Sequence, residues 1–93
     1  MPFAAVTTVS LEGLEMAEGL KFLQETLIPS IKAVPGFQTA RFMRSLDGKT
    51  GVGAVICDTE ANAKKALDTT TTKRPAGAPP VTTSTIYEVV VEV

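Results

Sequence analysis

A small α+β fold, with two helices laid against one face of a four-stranded antiparallel sheet, is predicted by three features of the sequence. The hydrophobic pattern changes from a strand period to a helix period and back, in the order strand, helix, strand, strand, helix, strand. An Asp47-Gly48 pair separates two strand-like runs, the usual sign of a hairpin. Ninety-three residues, 44% hydrophobic and 20% charged, suit a single folded domain spanning 1–93.

The first strand is expected from Phe3 to Leu11, where small and β-branched residues alternate between two faces. From about Glu15 the period lengthens: Leu20, Leu23, Leu27, Ile31 and Val34 recur at spacings of three and four, with Glu18, Lys21, Glu25 and Lys32 off that stripe. This is an amphipathic helix, expected to be interrupted or kinked near Pro29, whose ring disturbs the carbonyl four residues earlier. Pro35 biases Val34 away from helical geometry and Gly36 can take the left-handed conformation that closes a helix. The Pro-Gly pair therefore stops the helix and turns the chain into a second strand, Phe37 to Leu46. After the turn at Asp47 to Thr50, a third strand returns over Gly51 to Cys57, antiparallel to the second.

Asp58 or Thr59 can cap the next helix, EANAKKALD, with Glu60 near its positive end. The stretch from Thr69 to Thr83 is rich in threonine and proline and reads as a long loop, either a lid over a pocket or a plain connection. Lys73 and Arg74 within it read as solvated charges. Strand four is expected over Thr85 to Val93. The resulting β-α-β-β-α-β order is the ferredoxin-like topology.

Composition removes several functional classes. Ten acids against nine bases leave a net charge of −1, so no general attraction to phosphate backbones or anionic lipid is expected, and neither nucleic acid nor membrane is read as a partner. The chain has no histidine and one cysteine, Cys57, which excludes an internal disulfide and any Cys/His zinc set. No metal or cofactor is expected. The opening MPFAAVTTVSL has no basic region ahead of its apolar stretch and is read as no signal peptide, which makes the cytoplasm the expected location.

An RNA recognition motif shares this topology, but KTGVGAVIC places Val52 and Ala54 where stacking aromatics are required. The Gly51-Val52-Gly53 triplet is also no dinucleotide signature, since it lacks a third glycine and enters a strand. More informative is that both faces of strand three are apolar: Val52, Ala54 and Ile56 on one, Gly53, Val55 and Cys57 on the other. Helices cover only one face, and an exposed apolar sheet invites association, so a second copy of the chain is expected over the other face; the alternative is a twisted sheet partly covered by the long loop.

The opening strand, the helix ending LIPSIKAVPGF, the strand QTARFMRS and the second helix introduced by DTEANAKKAL resemble the dimeric α+β barrel superfamily, and within it the antibiotic-biosynthesis-monooxygenase-like domains. The resemblance covers most of the chain. It implies a homodimer whose two sheets form one barrel, with a cleft for a small aromatic or polyketide-like molecule. The superfamily includes cofactor-free quinol oxygenases, haem-degrading enzymes, lactone isomerases and proteins without assigned activity, and fold alone does not choose among them.

Haem degradation in that superfamily relies on a histidine and a tryptophan, and this sequence has neither. A cofactor-independent monooxygenase needs an apolar pocket, a base and an anion-stabilising group. The candidates are Tyr87 as a hydrogen-bonding phenol, Arg41 or Arg44 as the cation, and Glu88 as the base. Arg41 is preferred over Arg44 because its parity also carries Phe37 and Met43. The expected pocket residues are Arg41, Tyr87, Phe22, Phe42 and Met43. Each also has a plain structural role to offer: Tyr87 as an interface aromatic, either arginine in a surface ion pair, Phe22 and Phe42 in the core, and Cys57 as a small buried hydrophobe. A non-catalytic homodimeric binding or interaction module is the alternative, favoured by the few ionisable groups on the sheet.

Overall fold

The computed structural model describes residues 1–72 and 78–93, with Met16 described by its backbone alone. Strands β1 (Phe3–Ser10), β2 (Phe37–Arg44), β3 (Thr50–Cys57) and β4 (Val81–Glu88) form one antiparallel sheet in the order β2-β3-β1-β4. Helices α1 (Met16–Phe22) and α2 (Ile28–Lys32) are joined through a π-helical turn at Leu23–Leu27, and α3 (Glu60–Thr72) follows β3. The predicted ferredoxin-like fold is the observed one.

The core is built from short side chains on the helix side of the sheet. Ala5 of β1 and Val55 and Cys57 of β3 meet Leu27, Ile31 and Val34 of the first helical segment, and α3 presents Ala63 and Ala66. Two fully buried alanines on α3 let its backbone approach the sheet closely. The predicted stripe supplies three of its five members to this core and a fourth, Leu23, to its edge; Leu20 remains 47% exposed.

The helix is interrupted just before Pro29, as expected, and the interruption takes the form of a widened turn. In a regular α-helix the Pro29 ring would meet the carbonyl of Glu25. Here the preceding turn is widened, with the Ile28 N–H reaching back to the Leu23 carbonyl, and the helical path continues to Lys32. The Ser30 hydroxyl donates to the Thr26 carbonyl at 3.0 Å.

The Pro35-Gly36 turn closes this segment. Gly36 has φ +75°, and a Cβ there would run into the Asp58 carboxylate and the Asn62 amide. Those two side chains hydrogen-bond each other at 2.8 Å, while the Asp58 N–H donates to the Gly36 carbonyl at 3.0 Å. Thr59, rather than Asp58, caps α3: its Oγ1 accepts from the Asn62 N–H at 3.2 Å.

The expected loop over 69–83 is corrected at both ends. Thr69 to Thr72 continue α3, and their hydroxyls donate back to carbonyls of the preceding turn, so none is left without a partner: Thr69 to Lys65, Thr70 and Thr71 to Leu67, and Thr72 to Asp68. Strand β4 starts at Val81 and ends at Glu88, not Val93; its pairing to β1 is used up where β1 begins, at Phe3 opposite Glu88. Positions 73–77, including Lys73 and Arg74 of the suggested lid, lie outside the described residues.

Replacing Gly36 by Ala should destabilise the fold by at least about 1–2 kcal/mol from backbone strain alone, with the collision at Asp58 adding to it. Urea unfolding of both proteins measures this; an unchanged midpoint would contradict the strain. In the β2–β3 hairpin, the exposed Asp47 carboxylate accepts from Ser45 Oγ at 2.6 Å and the Lys49 N–H at 2.9 Å, which together hold its pKa below the ordinary value, Ser45 having the larger effect. Because the folded-state value is the lower one, this contribution is present above the ordinary carboxylate range and is lost as pH falls through the depressed value. The stability advantage of the native protein over Asp47→Asn should therefore shrink as pH is lowered below about 4, as read from unfolding midpoints.

Candidate functional site

Along the helix side of β3 the residues change from filling to empty. Cys57 and Val55 are at most 1% exposed and belong to the core, but the next two positions on that face are Gly53 and Gly51. Beneath the first helical segment this leaves a cavity of about 160 Å³, partly open to solvent. Its floor is Gly51 and Gly53, one wall is Val9 and Leu11 with Leu14, and its roof is Gly19, Leu20, Phe22, Leu23 and Leu27. Phe42, Met43 and Arg44 close the β2 side, with Thr7, Thr70 and Pro79 towards the opposite side.

The two glycines act by different means. A Cβ on Gly51 would lie 3.0 Å from Val9 and 3.3 Å from Leu11, so any side chain would intrude on the cavity wall. Gly53 pairs with Phe42 across the β2–β3 ladder, and a Cβ there would come within 2.8 Å of the Phe42 ring. The phenyl ring therefore lies over the glycine, an arrangement that buries an aromatic face where the strand has no side chain of its own.

Phe22, Phe42 and Met43 line this cavity, and Arg41 and Tyr87 do not. Arg41 is opposite Ala54 and Tyr87 opposite Ala4, on the sheet face turned away from the helices. The register of β2 against β3 shifts by one residue between Phe37 and Thr39, as at a β-bulge. Phe37 packs at the core, yet beyond the shift it is the even positions Ala40 and Phe42 that do so. The odd parity that linked Arg41 to Phe37 is broken, and Arg44 takes the place at the cavity. Glu88 is at the end of β4, opposite Phe3, and does not line the cavity.

Sequence reasoning passed over Gly51, Gly53, Thr7 and Thr70. The Gly-Val-Gly triplet was visible, and its alternation on one strand face was the available signal for a missing layer of side chains. Thr7 and Thr70 are 6% and 4% exposed, and their hydroxyl oxygens lie 3.1 Å apart. Among the described lining residues Arg44 alone carries an ionisable side chain, and it is exposed. No group of three or more His, Cys, Asp or Glu is placed to hold a metal among the described residues.

With this geometry the chain superposes on solved structures along nearly its whole length. A protein of Shewanella loihica PV-4 with a provisional monooxygenase assignment matches with TM-score 0.72 at 14% identity, covering 98% of this chain and 96% of that one. The monooxygenase from the gene ActVA-Orf6 of Streptomyces coelicolor, solved with nanaomycin D, matches with TM-score 0.68 at 19% identity, covering 98% and 89%. A provisionally assigned antibiotic biosynthesis monooxygenase of Bordetella bronchiseptica matches with TM-score 0.64 at 12% identity, covering 97% and 98%. The fold is that of the antibiotic-biosynthesis-monooxygenase-like domains. No protein-family profile and no curated protein matches the sequence.

Within this monooxygenase-like fold, Cys57 is a packing residue. It is fully buried, and desolvation, with a smaller push from the Asp58 charge, raises its thiol pKa. A raised pKa keeps the sulfur protonated and weakly nucleophilic at neutral pH. Iodoacetamide should leave Cys57 unmodified in the native protein and label it fully in denaturant, as read by mass spectrometry; rapid native labelling would contradict this burial.

Proposed function

We propose that this chain works as a homodimer in the cytoplasm, binding a small aromatic molecule in the cavity above Gly51 and Gly53 and oxidising it as a cofactor-independent monooxygenase. The observation that carries this reading is the cavity itself: an apolar chamber whose described lining holds one guanidinium, Arg44, at the end of a sheet of the monooxygenase-like fold. In such chemistry an electron-rich substrate SH2 and O2 give SO and water, the substrate supplying all the electrons. The chain's own share is to exclude water, hold the ring and offer Arg44 to an oxygen that gains negative charge.

Support for the dimer comes from the other sheet face. Val6, Val52, Ala54 and Ile56 form a half-buried apolar stripe there, flanked by Tyr87, which is 54% exposed. Beyond β4, Val90, Val91 and Val93 are also exposed. A second copy laid on this face would bury that surface, and it would bring Arg41 and Tyr87 to the shared interface.

A second reading, a non-catalytic binding module, is favoured by the described cavity lining, which holds no carboxylate or other general base. Light scattering combined with thermal-shift titration separates the readings. The expected outcome is a mass of about twice 9.8 kDa, reverting to the single-chain mass in Ile56→Lys, and a melting temperature that rises with an oxidisable phenol or quinol, accompanied by oxygen uptake. Binding without oxygen uptake would support the module, and a stable native monomer would overturn the dimer.

A further inference from the structure

The cavity has a size and a polarity that select among aromatic ligands, and the selection rests on its being a ligand site at all, as proposed above. A void of about 160 Å³ is close to the roughly 150 Å³ apolar cavities that take up a benzene ring. It is well below the roughly 300 Å³ at which pockets for larger, drug-sized molecules begin. One six-membered ring fills it.

Its polar feature is the threonine pair. The Thr70 hydroxyl donates to the Leu67 carbonyl of its own helix at 2.9 Å. A hydroxyl has one proton, so the hydrogen bond between Thr70 and Thr7 at 3.1 Å is made with the proton of Thr7. Both protons are then engaged within the protein. What Thr7 offers to the chamber is the lone pairs of Oγ1, held among apolar walls on a strand in the centre of the sheet, between β3 and β4. An acceptor in that setting favours a ligand that donates a hydrogen bond, and it disfavours a carbonyl or an anion at the same place.

We infer that the cavity takes a neutral single-ring molecule carrying a hydroxyl, bound with that hydroxyl inward and donating to Thr7 Oγ1. Thr7 is then the residue that sets polarity, and Gly51 and Gly53 are those that set size. Of the small aromatic or polyketide-like ligands expected from the sequence, those with several fused rings exceed the cavity volume.

The test compares phenol with toluene, in which a methyl group replaces the hydroxyl, by titrating the native protein and following methyl and aromatic NMR signals of the cavity residues. A hydroxyl buried without a partner would weaken phenol relative to toluene by about tenfold or more. The expected result is that phenol binds at least as tightly as toluene. In Thr7→Val phenol should fall about tenfold or more below toluene, whose affinity is retained, and Thr7→Ser should restore phenol binding. 1-Naphthol should bind at least about tenfold more weakly than phenol.

Toluene binding with phenol weakened in the native protein would overturn the role of Thr7 while leaving the cavity as a ligand site. Tighter binding of 1-naphthol would overturn the single-ring limit. If neither toluene nor phenol perturbs the cavity signals, both this inference and the ligand-site reading fall. The comparison in the native protein decides the matter even if Thr7→Val does not fold.

Discussion

The absence of side chains at Gly51 and Gly53 is the constraint on which the rest of the site depends. A sheet covered by helices normally fills the space between the layers from both sides. Here one strand withdraws for half its length, and the neighbouring elements divide into those that close the gap and those that leave it open. Phe42 leans over Gly53 and closes part of it. Leu20, on the stripe that elsewhere makes core, lines the cavity and stays 47% exposed.

The two ends of the domain therefore perform different work. At the Cys57 end, Ala63 and Ala66 bring α3 against Ala5 and Val55, and the small residues allow a dense core despite the short chain. At the Gly51 end the first helical segment spans the gap, and its widened turn at Leu23–Leu27 supplies two of the cavity's apolar residues. Widened turns of this kind occur often at functional sites, because they redirect side chains without ending the helix. In this chain the turn also removes the conflict that Pro29 would create.

The sheet's second face is set by strand alternation once the first face is assigned. Since Val55 and Cys57 are committed to the core, Val52, Ala54 and Ile56 must face the other way. An apolar face of this kind is the basis of the proposed homodimer, and it lies on the same strand that floors the cavity on its other side.

Local signals in the sequence were sufficient for the element order, the helix stop at Pro35-Gly36 and the hairpin at Asp47-Gly48. Each depends on backbone geometry within a few residues, so no distant partner can alter it. The threonine run was misleading because β-branched residues are weak helix formers on average, whereas here four hydroxyls in succession bond to the preceding turn of a helix already begun. The site was less legible. Phe22 and Phe42 fit a core role in the sequence as well as a pocket, and the choice between Arg41 and Arg44 hangs on a one-residue register shift after Phe37. Strand pairing settles such a shift, and pairing is a relation between segments far apart in the chain. The cavity, too, arises only when the glycines of β3 meet a helix that does not fill the space above them. Sequence alone determined which segments fold and how they follow one another; tertiary structure decided which face each side chain serves, because facing is a property of two packed layers and not of one strand.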